Sequence, residues 1–273
     1  MKLINLTVLK KIKKENETMV PSLFLAHGSP MLAVQDTAYT KFLEELGQKI
    51  NKPKAIVIFT AHWESEIMTI SSPADEYGTI YDFMGFPEEL YQIKYPAKGS
   101  KEIVALLEDK FSVKGIQTKR DTSRGLDHGS WTLLSRLYPK ADIPVVQVSV
   151  NPFLTPSEQY DIGLAINELG KEDILIIGSG VTVHNLRALK WEQTEPEDWA
   201  IQFDDWLIDR ISKKDFTSLL NFEQLAPHAQ LAVPRPEHFV PFFIAMGSGT
   251  LDNARIIHRS YEMGTLSYLC LAF

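Results

Sequence analysis

The side chains in this sequence best suited to chemistry are its seven histidines, and two of them close short apolar runs in nearly the same way. "SLFLA" (22–26) leads directly into His27, and "AIVIFTA" (55–61) leads into His62. His184 comes four residues after Gly180 in "ILIIGSGVTVHN". His128 lies in the glycine-flanked "GLDHGSW", and His238 lies in "VPRPEHF" behind two prolines. Imidazole is the commonest protein ligand for metals and titrates near neutral pH. Each histidine alone is more often a core or surface residue; the matched pair at strand ends makes a shared metal site the sharper expectation. No HExxH, paired CxxC or P-loop competes for the assignment. There is no GxSxG, and the lone Cys270 lies in an apolar C-terminal run, which disfavours covalent catalysis.

Such side chains work together only if rigid elements bring them to one place. In an open α/β sheet, ligands bind beyond the carboxyl ends of the strands, where His27 and His62 are expected to fall. Short runs rich in Val, Ile and Leu alternate with stretches of helical period, the pattern of a mainly parallel sheet covered by helices. Strands are predicted at 22–26, 55–61, 67–72, 143–150, 173–180 and 266–273. Helices are predicted at about 36–50, 100–110, 130–138, 157–169, 197–213 and 238–247, with Thr155-Pro156 capping the fourth. No repeat or linker divides the chain, so one α/β domain is expected. After His27, Gly28 is expected to let the backbone turn tightly, and Ser29-Pro30 to fix that turn.

The composition narrows the partners. A net charge of −7 and a pI near 5.6 argue against a nucleic-acid or anionic-membrane partner. No apolar run approaches the length of a membrane span, and a single cysteine allows no intrachain disulfide, so a cytoplasmic setting is expected. In "MKLINLTVLKKIKKENETMV" the lysines follow the apolar stretch, the reverse of a signal peptide. Residues 1–19 are therefore expected to be a flexible basic extension, or to precede a domain that starts at Met19, with residues 20–273 forming the catalytic domain. The segment 77–99 carries six aromatic residues and two prolines without a clean period, which suits either a binding loop or one packed on the sheet.

Five motifs taken together are more specific: "HGSPM" (27–31), "AHWES" (61–65), "GLDHGSW" (125–131), "SGVTVHNL" (179–186) and "PEHFVP" (236–241). In order and spacing they resemble the extradiol aromatic-ring-opening dioxygenases of the 4,5-DOPA dioxygenase type, within the class III, protocatechuate 4,5-dioxygenase-like superfamily. The resemblance runs from about Met19 to the C-terminus. It implies a three-layer αβα core with a mononuclear non-haem metal at one end of the sheet. His27 and His62 match the metal-binding positions. The third ligand is expected from "PEH", as His238 in this branch, with Glu237 beside it as the other candidate. His184 matches a loop histidine near the metal, either the acid/base or, with zinc bound, a further ligand. His128 matches a second pocket histidine that would orient substrate or stabilise charge, while His228 and His258 match no motif position and are expected to be structural or surface residues.

The implied reaction inserts O2 into a catechol, DOPA-like substrate and yields a muconic semialdehyde, with Fe(II) expected for activity and Zn(II) as another metal the site can bind. Such chemistry needs a metal open on one face, a base to take a catechol proton and an acid to return one. The aromatic segment and Trp63 could stack the ring. Arg235 could pair a substrate carboxylate, against the plainer expectation of a solvated loop residue. The rivals are a zinc-dependent hydrolase using the same histidines and a non-catalytic relative that keeps only the fold.

Overall fold

The computed structural model describes residues 20–273, so the expected N-terminal extension lies outside the described residues. Its strands are β1 (Ser22–Ala26), β2 (Ala55–Glu64), β3 (Met68–Ser71), β4 (Thr118–Asp121), β5 (Val145–Val150), β6 (Ile174–Gly180), β7 (Arg255–His258), β8 (Tyr261–Glu262), β9 (Leu266–Ser267) and β10 (Cys270–Ala272). The longer helices before residue 215 are α1 (Ala38–Lys49), α2 (Lys101–Val113), α3 (His128–Leu137), α4 (Pro156–Ala165) and α5 (Asp198–Ser212). Three short helices follow, α6 (Phe216–Leu220), α7 (Phe222–Leu225) and α8 (Ala229–Ala232), and then α9 (Val240–Ser248).

Eight strands form one sheet in the order β4-β3-β5-β2-β6-β1-β10-β7, while β8 and β9 pair separately. The central run β5-β2-β6-β1 is parallel throughout. The antiparallel pairings lie to either side of it, β3 with β5 and β10 with β1 and β7. The expected αβα class is therefore present, and the side-chain alternation of the strands explains its layers. Leu23, Leu25, Ile56, Ile58, Leu175 and Ile177 pack into one core with α1 and α3. Their neighbours Val57, Phe59, Ile174 and Ile176 turn to the opposite face and pack against α2, α4 and α9. Phe24 joins α5 and α9 in a third cluster. Strands buried on both faces must read as continuous apolar runs, which is why β1, β2, β5 and β6 were conspicuous in the sequence.

Local signals hold at several boundaries. Thr155 caps α4 with Pro156 at its first position, and Glu158 completes a capping box. That helix stops at Ala165 rather than running to 169. A 3-10 turn at Leu169–Glu172 and Asp173, with φ 62°, then redirect the chain into β6. The predicted 266–273 strand is two short ones, because Leu266–Ser267 pairs with β8 and Cys270–Ala272 with β1 and β7. Strand β4, "TKRD", was unpredicted: it is a polar edge strand beside β3 and carries no apolar alternation.

Candidate metal centre

His27 directly follows β1, and its backbone N–H donates to the Gly180 carbonyl at the end of β6, 3.3 Å away. Gly28 then takes φ +54°, and a Cβ there would lie 2.3 Å from the Tyr268 ring, so the tight turn and the close approach both require glycine. His62 is not past a strand end, as expected, but inside the last stretch of β2. There the ladder to β6 has ended at Thr60–Ser179, and the pairing with β5 shifts register between Phe59 and Glu64, so His62 sits in an irregular stretch freed from β6. His128 is the first residue of α3 rather than a loop residue. Its N-cap Asp127 also accepts from Thr60 Oγ1 at 2.8 Å, tying the helix start to β2. His238 lies in the turn before α9, and His184 in the loop after β6, where its N–H donates to Ala232 O.

These five histidines converge. His62 Nε2 lies 3.1 Å from His27 Nε2 and 3.3 Å from His238 Nε2. The three ring centroids form a near-equilateral triangle of 4.8, 5.0 and 5.1 Å. His128 approaches His62 with centroids 4.0 Å apart, and His184 stacks on His238 at 3.5 Å and 12°. The remaining two histidines are elsewhere, as expected: His228 is exposed and bonded to Gln202, and His258 packs on Phe42 and Tyr39.

In His27, His62 and His238 the other ring nitrogen identifies which one carries the proton. Ser179 donates its hydroxyl proton to Gly129 O at 2.5 Å, so its oxygen accepts from His27 Nδ1 at 2.9 Å. His62 Nδ1 donates to Asp82 Oδ2 at 3.1 Å, and His238 Nδ1 to Glu237 Oε1 at 3.1 Å. All three Nδ1 atoms are therefore donors, so in each neutral ring Nε2 carries the lone pair, and the Nε2 of His62 faces those of His27 and His238 at 3.1 and 3.3 Å. Separations of 3.1 and 3.3 Å are short enough for His62 to share one metal with His27 and with His238, since imidazole–metal bonds of about 2.0–2.1 Å span that distance. The donor set thus fits a single divalent metal bound through imidazoles. Two sets of ligand-type atoms lie within 4.8 Å of one another, His27–His62–His128 and His184–Glu237–His238. Glu237 can also reach this space, but its Oε1 is committed to His238 Nδ1.

Electrostatics agree with neutral rings. Burial, and then the charge His62, His128 and His184 would carry, hold His27 well below the ordinary 6.5. Burial followed by His184 and His27 does the same at His238, and burial followed by His62 and His128 pushes His184 down to about 4. Burial alone would raise the Asp82 carboxyl, but hydrogen bonds from His128 and His62 outweigh it and hold the group well below the usual carboxylate range.

Around the histidines, Tyr81, Phe83, Phe86 and Tyr91 of the aromatic segment form a cluster that reaches Trp131, and Phe83 meets His128 edge-on at 5.7 Å. Trp63 is buried, with the Arg124 guanidinium 4.7 Å over one face. Arg235 is exposed, and its Nη2 donates to both carboxylate oxygens of Glu64, at 2.9 and 3.0 Å. A cavity of about 540 Å³ between the α2–β4 connection and α4 includes none of the histidines, so size alone does not locate the chemistry. Asp82 was not anticipated; it lies in an aperiodic loop, and only its place beside the aromatic cluster could have drawn attention to it.

Histidines gathered where parallel strands of an αβα sheet end mark this as a metalloenzyme of the α/β class. Residues 21–272 match the family model of the catalytic LigB subunit of aromatic ring-opening dioxygenase, and the chain belongs to that family. It is 41% identical over 250 residues to the 4,5-DOPA dioxygenase extradiol of Beta vulgaris, covering 90% of this chain and 93% of the relative. It is 33% identical over 261 residues to the protein of that name from Escherichia coli strain K12, covering 93% and 94%. A crystal structure of an uncharacterized Escherichia coli K12 protein superposes with a TM-score of 0.80 at 30% identity, over 93% of this chain and 99% of that one. The protein is thus an extradiol dioxygenase, an oxidoreductase of a family that uses a non-haem metal, and the hydrolase alternative is not favoured. Among the described residues, no helix is long and apolar enough to cross a membrane.

Proposed function

We propose that the protein opens the ring of a DOPA-like catechol with O2 at a single Fe(II) held by His27, His62 and His238, giving a muconic semialdehyde. The observation that carries this is the convergence of three Nε2 atoms, each on a ring whose Nδ1 is held by an acceptor. Zn(II) would occupy the same three nitrogens. When bound, the metal offers open positions to the catechol oxygens and dioxygen and lowers the catechol pKa.

The chain supplies the remaining functions. A ring nitrogen binds a metal close to its own ring plane. His184 lies parallel to His238 only 3.5 Å away, which supports a proton-transfer role for His184 rather than ligation beside it. Its pKa of about 4 makes it a neutral imidazole near pH 7, able to accept a catechol proton and return it later. His128, fixed through Nδ1 on Asp82, turns its other nitrogen toward the same space and would orient substrate or stabilise charge on oxygen. Phe83 and Tyr81 would wall the ring, and Glu237 serves as the partner of His238 rather than as a ligand. A reducing cytoplasmic setting suits Fe(II) and the buried, unpaired Cys270.

The test is anaerobic loading with Fe(II), followed by L-DOPA and related catechols with oxygen uptake monitored. Stoichiometric uptake with a yellow product is expected, and no turnover of any catechol by iron-loaded protein refutes the proposal. His27→Ala and His62→Ala should abolish metal binding. His184→Ala should retain the metal and lose turnover; equal metal loss there would assign His184 as a ligand.

A further inference from the structure

Asp82 lies between Tyr81 and Phe83 in the aromatic segment, far in sequence from every histidine it touches. Its Oδ1 accepts from the backbone N–H of His128 at 3.0 Å and from His128 Nδ1 at 2.9 Å. Its Oδ2 accepts from His62 Nδ1 at 3.1 Å. One carboxylate thus receives three N–H donors from two elements, the end of β2 and the start of α3. An ionised carboxylate has no proton to give, so both imidazoles must carry theirs on Nδ1. Both Nε2 lone pairs are thereby directed away from Asp82. The segment that delivers Asp82 is anchored nearby, with Trp131 Nε1 donating to Ile80 O at 3.0 Å and a bridge joining Thr79 to Leu126.

We propose that Asp82 is a positioning residue that locks His62 and His128 in one tautomer and so couples the order of the 77–99 segment to metal binding. The inference rests on His62 being a ligand. Its physical content is an exchange of constraints: the loop holds the ring that holds the metal, so the metal in turn restrains the loop.

The isosteric variant Asp82→Asn separates this from a space-filling role. An amide has one accepting oxygen and one donating NH2. The backbone N–H of His128 can only donate, so the amide oxygen must stay on that side and the NH2 faces His62 Nδ1. His62 must then accept there and move its proton to Nε2, the atom aimed at the metal. Loss of such a ligand partner typically weakens metal affinity about 10- to 100-fold. Zn(II) affinity of Asp82→Asn, measured by chelator competition, should fall by that range, and the visible spectrum of the Co(II) form should change. Wild-type affinity with an unchanged Co(II) spectrum overturns the proposal.

A second measurement uses the unsubstituted protein and does not depend on the variant folding. Amide hydrogen exchange across residues 77–99 should slow when Zn(II) is bound, and equal exchange with and without Zn(II) overturns the coupling. His62→Ala distinguishes the two levels. If it keeps zinc, the ligand assignment fails and this inference with it. If it loses zinc while Asp82→Asn keeps it, only the role of Asp82 fails.

Discussion

Gly129 offers a perturbation whose effects on stability and on metal binding should part company. It occupies the second position of α3, directly after His128, and its helical backbone suits alanine. A Cβ at this position would lie 2.9 Å from His62 Cδ2, 2.9 Å from Thr60 Oγ1 and 3.3 Å from Asp127 Oδ1. Unstrained carbon–carbon contacts begin near about 3.5 Å, so the His62 ring must yield by about 0.6 Å. Metal–ligand distances tolerate only about 0.2 Å, a third of that displacement. Overpacking costs about 1–3 kcal/mol, and replacing a helical glycine returns about 1 kcal/mol, leaving a net loss of about 0–2 kcal/mol. Gly129→Ala should therefore fold, with an apo melting temperature only a few degrees lower, and bind Zn(II) at least about 10-fold more weakly by chelator competition. Wild-type Zn(II) affinity in a folded Gly129→Ala protein would refute the reasoning, because it would mean that the position of His62 does not govern the site.

Two further expectations concern groups outside the centre. Burial pushes His258 from 6.5 down to about 4, so the folded protein refuses a proton that the unfolded chain accepts. Stability should thus fall as pH drops from about 6.5 to about 4 and level off below, with His258 contributing at most about 3 kcal/mol of that loss. His258→Phe, which keeps the packing on Phe42 and Tyr39, should show a shallower loss in denaturant midpoints between pH 7 and 4; identical slopes would count against the assignment. Cys270 is fully buried, and burial raises its thiol to about 12, so native protein should resist thiol reagents at pH 8 and react only on unfolding. Rapid native labelling would contradict that placement.

The legibility of this fold follows where information is local. Strands β1, β2, β5 and β6 are apolar on both faces, and α4 advertises its start through Thr155, Pro156 and Glu158, so period and caps sufficed for them. Strand β4 and the short helices α6 to α8 carry too little apolar pattern over too few residues to stand out. Motifs similarly singled out the five converging histidines, since each sits in a short, distinctive stretch. Their tautomers were invisible, because each depends on a partner supplied by tertiary contact. Ser179 lies 152 residues from His27, and Asp82 lies 46 residues from His128. Glu237 is the exception, adjacent in sequence to His238, and its 3.1 Å contact to Nδ1 is the one such partnership between neighbours in the sequence.

Those partners also explain how so many imidazoles can be held together without a charge between them. Neutral rings avoid mutual repulsion, but the His62 Nε2 lone pair still opposes those of His27 and His238, 3.1 and 3.3 Å away. Ser179 comes from β6, Asp82 from the aromatic segment and Glu237 from the turn before α9, so the arrangement is maintained by three separate parts of the fold. Moving any one of them would let its ring rotate or change tautomer and relieve the opposition. That all three hold the rings in the less comfortable state indicates a site preorganised for a cation, with the unfavourable contact maintained by the packing of the αβα core.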